Sequence, residues 1–222
     1  MAKKQADERP LEVNWEPRND RQREVEAVWS KAKILFLIGE PGTGKTHAAL
    51  ALALRDHIKS MAHKDPGKLW LSRPAVECGE RLGFEPGTLP DKLRSWLAPF
   101  ADVMECMSNN KLDSIFSDKI ESIMIGKLRG RTIRNGTLIV DEAQNLTRSQ
   151  LKCILTRLGR GGRIVLCGDP AQSDLGGRGV GPFEEAAKLL SKLDGVHTVR
   201  FLPEDCQRDR IITEITKLLA KW

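Results

Sequence analysis

The residues with the plainest chemical purpose are Gly39–Thr46, GEPGTGKT, which match the pattern G-x-x-x-x-G-K-[ST] at every fixed position. Glycines at this spacing let main-chain N–H groups curl around a phosphate, and a helix opening at the end of the loop adds partial positive charge. Lys45 is long enough to reach β- and γ-phosphate oxygens, and Thr46 offers a hydroxyl to Mg²⁺. Gly39, Glu40, Pro41, Gly42, Thr43, Gly44, Lys45, Thr46 and the adjoining His47 are therefore expected to hold ATP.

A second stretch, LIVDEAQN at Leu138–Asn145, carries two adjacent carboxylates out of an apolar run. At the carboxyl edge of a parallel sheet, Asp141 would serve the metal and Glu142 would orient and deprotonate an attacking water. The alternative is an N-capping Asp followed by a surface Glu. A third stretch, IVLCGDPAQSDL at Ile164–Leu175, again places polar residues after an apolar run, and Gln172 could sense a γ-phosphate without carrying charge. Taken alone, GDPAQ equally suits a type I turn with Asp169 before Pro170.

These groups need a scaffold. Lys33–Ile38, Lys68–Ser72, Thr137–Val140, Arg163–Cys167 and Thr198–Phe201 read as strands. Helical spacing runs over Asn19–Ser30, Lys45–Met61, Asp91–Met107 with Pro99 as a kink or junction, Pro182–Leu193, and a terminal segment through Ile211, Ile215, Leu218 and Leu219. Thr147 is expected to cap a helix through Leu158. Residues 108–134 show no clear period. Met1–Pro17 reads as a flexible lead-in, leaving residues 18–222 as one domain. Strand and helix alternate, which predicts an α/β fold, a mostly parallel sheet with helices on both faces, and the glycine loop makes it an α/β fold of the P-loop NTPase kind.

The bulk properties agree with a soluble globular chain: 222 residues, 40% hydrophobic and 30% charged. No apolar run approaches a membrane span and the first residues lack a signal-peptide core, so a cytoplasmic location without membrane association is expected. Five widely spaced cysteines form no zinc-type pair and read as reduced fillers, and the four histidines share no ligand spacing. The net charge of +6 is unevenly spread. Between Ser122 and Gly168 lie nine basic residues and two acids. Such a stretch suits either a polyanion or a solvated face laced with salt bridges.

The set GEPGTGKT, RPAVECGERLGFEPGTL, KLRGRTIRNGTLIVDEAQN, LTRLG and GDPAQSDL, in this order, resembles the PhoH-like family of ATPases, a branch related to superfamily-one helicase cores. The resemblance covers Asn19 to Ile215, with RPAVExGE followed by LGFxPG its most specific part. It implies that Gln22, ahead of the first strand, reads adenine. It also implies that Arg73 contacts nucleic acid or relays nucleotide state, and that Arg208, in PEDCQRDRII, is an arginine finger acting in cis or from a neighbour. Family members often carry His and Pro after that arginine, where this chain has Asp209 and Arg210. Arg157 in LTRLG competes for the same role. Arg129 and Arg131 join Arg73 as nucleic-acid candidates.

The functional expectation is Mg²⁺-dependent ATP hydrolysis coupled to RNA or DNA remodelling in a ring-shaped, hexamer-like homo-oligomer, because one RecA-like unit cannot inchworm alone. The alternative is a nucleotide-switched assembly or adaptor protein; the absence of Tyr and scarcity of other aromatics weaken the motor reading. A nucleotide kinase is disfavoured by the DEAQ stretch. The chain leaves no room for an attached PIN or KH-like domain, so nuclease activity is not expected.

Overall fold

Short runs of Ile, Leu and Val dominate the strand segments, and each run is buried along its length: β1 Ile34–Ile38, β2 Leu69–Ser72, β4 Thr137–Val140 and, after its first residue, β5 Arg163–Gly168. Strands buried on both faces belong in the middle of a parallel sheet. The computed structural model places them there, and describes residues 12–61, 67–74, 98–104, 106–107, 120–175, 180–207 and the single positions 209, 211, 215 and 218. The sheet has six strands in the order β3-β2-β4-β5-β1-β6, with β3 at Ile120–Ser122 and β6 at Val196–Arg200. Every pairing is parallel. All carboxyl ends therefore open on one edge, where β5 separates β1 from β4.

Side-chain alternation divides the core into two layers. Leu35 and Leu37 of β1, Ile139 of β4 and Val165 and Cys167 of β5 face α2 (Lys45–Ser60), α1 (Asp20–Trp29) and the helical residues 98–104 and 106–107. Phe36, Leu138, Val140, Ile164 and Leu166 face α3 (Arg148–Leu155) and α4 (Pro182–Leu190). Thr147 caps α3 through a capping box with Gln150, as its position suggests, although the helix closes at Leu155 rather than Leu158.

Two expectations are corrected, and one unassigned stretch gains an element. Within the lead-in, Trp15 is buried in the first core layer and Asn14 N–H donates to Met107 O at 2.8 Å, so this part is anchored rather than loose. A single large indole removed from water outweighs the charged residues around it. The aperiodic stretch yields edge strand β3, whose three residues IES are too few to display a period. Strand β6 begins at Val196, because Gly195 at φ +78° turns the chain directly into it. Residues 1–11, 75–97 and 108–119 lie outside the described residues, and with them most of RPAVECGERLGFEPG.

Part of the basic stretch is structural. The Arg163 guanidinium bonds Trp29 O at 2.9 Å, Ala32 O at 3.1 Å and Asp56 Oδ2 at 2.7 Å, while lying 4.3 Å from the Trp29 ring centroid. Trp29 Nε1 donates to the same carboxylate at 2.8 Å. This cluster pins α1 and α2 to the foot of β5. Arg163→Ala is expected to lower unfolding free energy by about 3 kcal/mol, from lost charge-assisted hydrogen bonds and cation–π attraction, as read by urea unfolding. A loss below about 1 kcal/mol would mean the cluster is solvated.

Candidate functional site

At the carboxyl end of β1 the chain enters the glycine loop, which ends at Gly44, the N-cap of α2 in the left-handed conformation (φ +88°). A Cβ there would be strained and would also collide with the amide of Gln22. Gly39 meets a different limit, since a Cβ would lie 2.7 Å from Cβ of Phe201 just past β6. Thr43 is buried and donates to Glu40 O at 2.8 Å, which closes the loop on itself. Lys45, also buried, donates to Gly39 O and Glu40 O at 2.7 Å each. Burial pushes its ammonium below the usual lysine range, against the opposing pull of Asp169, Asp141 and Glu142.

The end of β4 meets this loop across 95 positions of sequence: Thr46 Oγ1 donates to Asp141 Oδ1 at 2.8 Å. Burial, and next the charge of Glu142, hold the Asp141 carboxyl above the ordinary range. A hydroxyl and a carboxylate oxygen brought together beside a lysine form the donor set a hard cation prefers, so these residues fit Mg²⁺. Glu142 follows in the left-handed region at φ +52°, a strained backbone for a residue with a Cβ. Its Oε2 accepts from Gln144 Nε2 at 2.7 Å, and Arg73 lies 3.9 Å from its Oε1.

Gln144 is a site residue that sequence reasoning missed. It is buried, and besides holding Glu142 its Oε1 accepts from Asp169 N–H at 3.0 Å, so one amide joins the ends of β4 and β5. Ser173 Oγ donates to Gln144 O at 3.1 Å, and Asn145 and Asp174 exchange two further bonds. The signal was present as the fourth residue of DEAQ, but no periodicity distinguishes a bridging Gln from a surface one. Asp169 was equally undervalued. It caps the short helical turn Pro170–Gln172 by accepting from Ala171 N–H at 3.1 Å, and burial raises its carboxyl. The turn reading of GDPAQ thus holds, while Gln172 stands exposed at the rim of the cleft.

That cleft, of about 470 Å³, is lined by the loop residues Pro41, Gly42 and Gly44 to His47, by Asp141, Glu142, Asp169 and Gln172, and by Trp15, Arg18, Gln22, Pro99, Val103 and Gln207. Gln22 is buried, accepts from Arg18 N–H at 2.7 Å and donates to Gly44 O at 3.5 Å. His47 is partly buried, which lowers its imidazole below the ordinary range together with the charge of Arg18. The segment after β6 clasps the loop from outside: Gln207 N–H donates to Gly42 O at 2.9 Å, and Asn19 Nδ2 reaches both Thr43 O and Asp205 O.

The remaining candidates divide. Arg73 stands beside Glu142. Arg129 and Arg131 do not line the cleft, and Arg131 is ion-paired to Glu121 at 2.6 Å. Arg157 accepts at its carbonyl from Ile133 N–H, near the amino end of β5, so it lies at the opposite end of the sheet from its own cleft. Arg208 lies outside the described residues. No described helix is long and apolar enough to cross a membrane.

Comparison with known proteins yields one family model, described as PhoH-like protein, matching residues 14–220. A PhoH-like protein of Mycobacterium tuberculosis is 37% identical over 205 residues, covering 91% of this chain and 57% of the relative. One from Synechocystis is 37% identical over 199 residues, covering 89% and 60%. The chain thus spans about three fifths of these relatives' length. Among solved structures, Pif1 helicase from Candida albicans aligns over 92% of this chain and 44% of its own, at 18% identity and a TM-score of 0.42.

Proposed function

This chain belongs to the PhoH-like protein family, and on that premise we propose that it binds ATP with Mg²⁺ and hydrolyses the terminal phosphoanhydride. The observation that carries the reading is the 2.8 Å bond between Thr46 Oγ1 and Asp141 Oδ1, which unites the phosphate loop with the acidic pair. Mg²⁺ held by Thr46 and Asp141 would neutralise charge on the phosphate oxygens. Lys45 exchanges its loop carbonyls for β- and γ-phosphate oxygens, and the loop N–H groups surround the same anion. Glu142 accepts a proton from water as its oxygen attacks the γ-phosphorus; the β–γ bridging bond breaks, and ADP and inorganic phosphate leave. Gln172 at the rim senses the γ-phosphate, Gln22 reads the base, and Arg73, beside the acidic pair, contacts nucleic acid or relays nucleotide state.

Gln144 acts through Glu142 as a positioning residue. Gln144→Ala is expected to lower kcat about tenfold to a hundredfold, since a base displaced by an ångström loses most of its effect. Nucleotide affinity, read by titration with a fluorescent analogue, should change little. A matching loss of affinity would show that Gln144 supports the cleft as a whole.

We propose further that turnover is coupled to RNA or DNA, in a cytoplasmic, ring-shaped homo-oligomer whose sites are completed by an arginine, either Arg208 or Arg157. The position of Arg157, remote from its own cleft, suits donation to a neighbour in a head-to-tail ring. A second reading, the nucleotide-switched adaptor, draws support from the exposed Ile211, Ile215 and Leu218, which fall one helical turn apart at the chain end. ATPase rates with and without single-stranded RNA, DNA and duplex, measured with the mass in solution, separate the two. Stimulation by a strand together with a multimer is the expected result. A monomer indifferent to every nucleic acid sinks the ring motor, and absence of turnover under all conditions sinks the ATPase itself.

A further inference from the structure

The arginines of the basic stretch fall into two groups. Arg131, Arg148 and Arg163 pair with Glu121, Glu185 and Asp56. Arg129, Arg134, Arg157 and Arg160, like Lys127 and Lys152, have no carboxylate partner among the described residues. Three of the second group sit on one small ladder. Ile133 N–H donates to Arg157 O at 2.8 Å, Gly159 N–H returns to Ile133 O at 2.8 Å, and Asn135 N–H donates to Arg160 O at 3.1 Å. Ile133 is buried and Leu158 packs on the same core layer, so alternation turns Arg134 outward, while Arg157 stays half-buried. Gly159 permits a close crossing: a Cβ there would stand 2.5 Å from Cγ2 of Thr132 and 3.0 Å from both Ile133 O and Cγ of Arg134, whose stem lies across the glycine. Arg160 is exposed beside them, and exposed Lys152 is one helical turn before Thr156. Arg157 Nε is buried without a hydrogen-bond partner, and its Nη2 reaches only Thr156 Oγ1 at 3.3 Å.

The ladder lies away from the nucleotide cleft. Arg134 and Arg160 each stand three residues before the amino ends of β4 and β5, whereas the cleft is at the carboxyl ends. We propose that Arg134 and Arg160, with Lys152, bind the phosphodiester backbone of a nucleic acid strand at this far edge of the sheet. Exposed guanidinium forks with no carboxylate partner among the described residues suit a row of phosphates, each able to take a bidentate contact. No Phe, Trp or Tyr occurs from Lys127 to Arg163, so bases have nothing to stack on. Binding is therefore indifferent to base sequence and falls steeply with salt.

The inference rests on the nucleic-acid part of the proposed function and on nothing in its chemistry. It is tested without nucleotide, by fluorescence anisotropy of a short labelled single-stranded RNA, the equivalent DNA and its duplex, at two salt concentrations. Wild-type protein should bind at least one of them. Arg134→Glu/Arg160→Glu should weaken that binding about tenfold or more and flatten the log–log salt slope by about 2, as two phosphate contacts disappear. Basal ATP turnover by the double variant should equal that of the wild type. If charge reversal lowers the thermal midpoint, Arg134→Ala/Arg160→Ala replaces it, with a smaller loss in the same direction. Wild-type protein that binds no probe, or variants that bind as tightly as wild type, overturn the proposal while leaving ATP hydrolysis untouched. A protein that hydrolyses no ATP yet loses strand binding in these variants overturns the enzyme and retains the surface.

Discussion

Glu142→Gln is expected to retain Mg²⁺-ATP binding within about threefold and to lower kcat by on the order of 10³, the loss typical of a missing general base. The replacement is nearly isosteric, and its amide oxygen can still accept the 2.7 Å bond that Gln144 Nε2 now makes to Glu142. The strained backbone at φ +52° stays as it is, because Gln and Glu meet the same steric limit there. What disappears is the basicity of the carboxylate. The weak pairing with Arg73, 3.9 Å away and between half-exposed groups, is screened and contributes little. A single-turnover assay with pre-bound nucleotide isolates the chemical step from product release. Hydrolysis at the wild-type rate would move the base elsewhere, and Asp169 is the other unassigned carboxylate lining the cleft.

The contrast between Glu142 and Gln144 shows what a sequence discloses. The phosphate loop, the acidic pair and the alternation of five strands were legible because each leaves a local pattern: fixed spacing, or an apolar run with a polar end. Gln144 leaves none, since its role comes from Asp169, 25 positions away. The clasp made by Asn19, Asp205 and Gln207 is hidden for the same reason, being built from contacts between chain ends that meet only in the fold. Charge counting failed in a more instructive way. Arg163 and Arg134 look alike in sequence, yet one is consumed by Asp56 and Trp29 while the other faces outward beside a glycine. Strand β3 was lost to brevity, and Trp15 to the charged residues that surround it.

Lys45→Ala is expected to abolish the thermal stabilisation that nucleotide gives the wild type while changing the ligand-free midpoint little. Burial lowers the folded-state pKa of Lys45 below its ordinary value, so the folded protein holds this proton less tightly than the unfolded chain does. By linkage, stability contributed at this site rises with pH between the lowered folded value and the ordinary one. Below that window the charged lysine costs free energy. In that charged form the ammonium is a buried charge that its two carbonyl partners, Gly39 O and Glu40 O, only partly offset. Removing it relieves that cost and leaves two acceptors in a loop that water can reach through the cleft, so the two effects oppose each other. An incoming polyphosphate supplies the missing counter-charge, which is why the lysine's full worth is realised only with nucleotide bound. At a nucleotide concentration about a hundredfold above Kd, the wild type should gain about 2.7 kcal/mol, or roughly 5–10 °C in midpoint for a chain of this size. The variant should gain almost nothing at that concentration, because losing a charge-assisted phosphate contact costs affinity on the order of a hundredfold. Equal nucleotide-induced shifts in both proteins would mean that the loop N–H groups bind the phosphates unaided. A large fall in the ligand-free midpoint would mean that the bonds from Lys45 to the loop outweigh the cost of burying its charge.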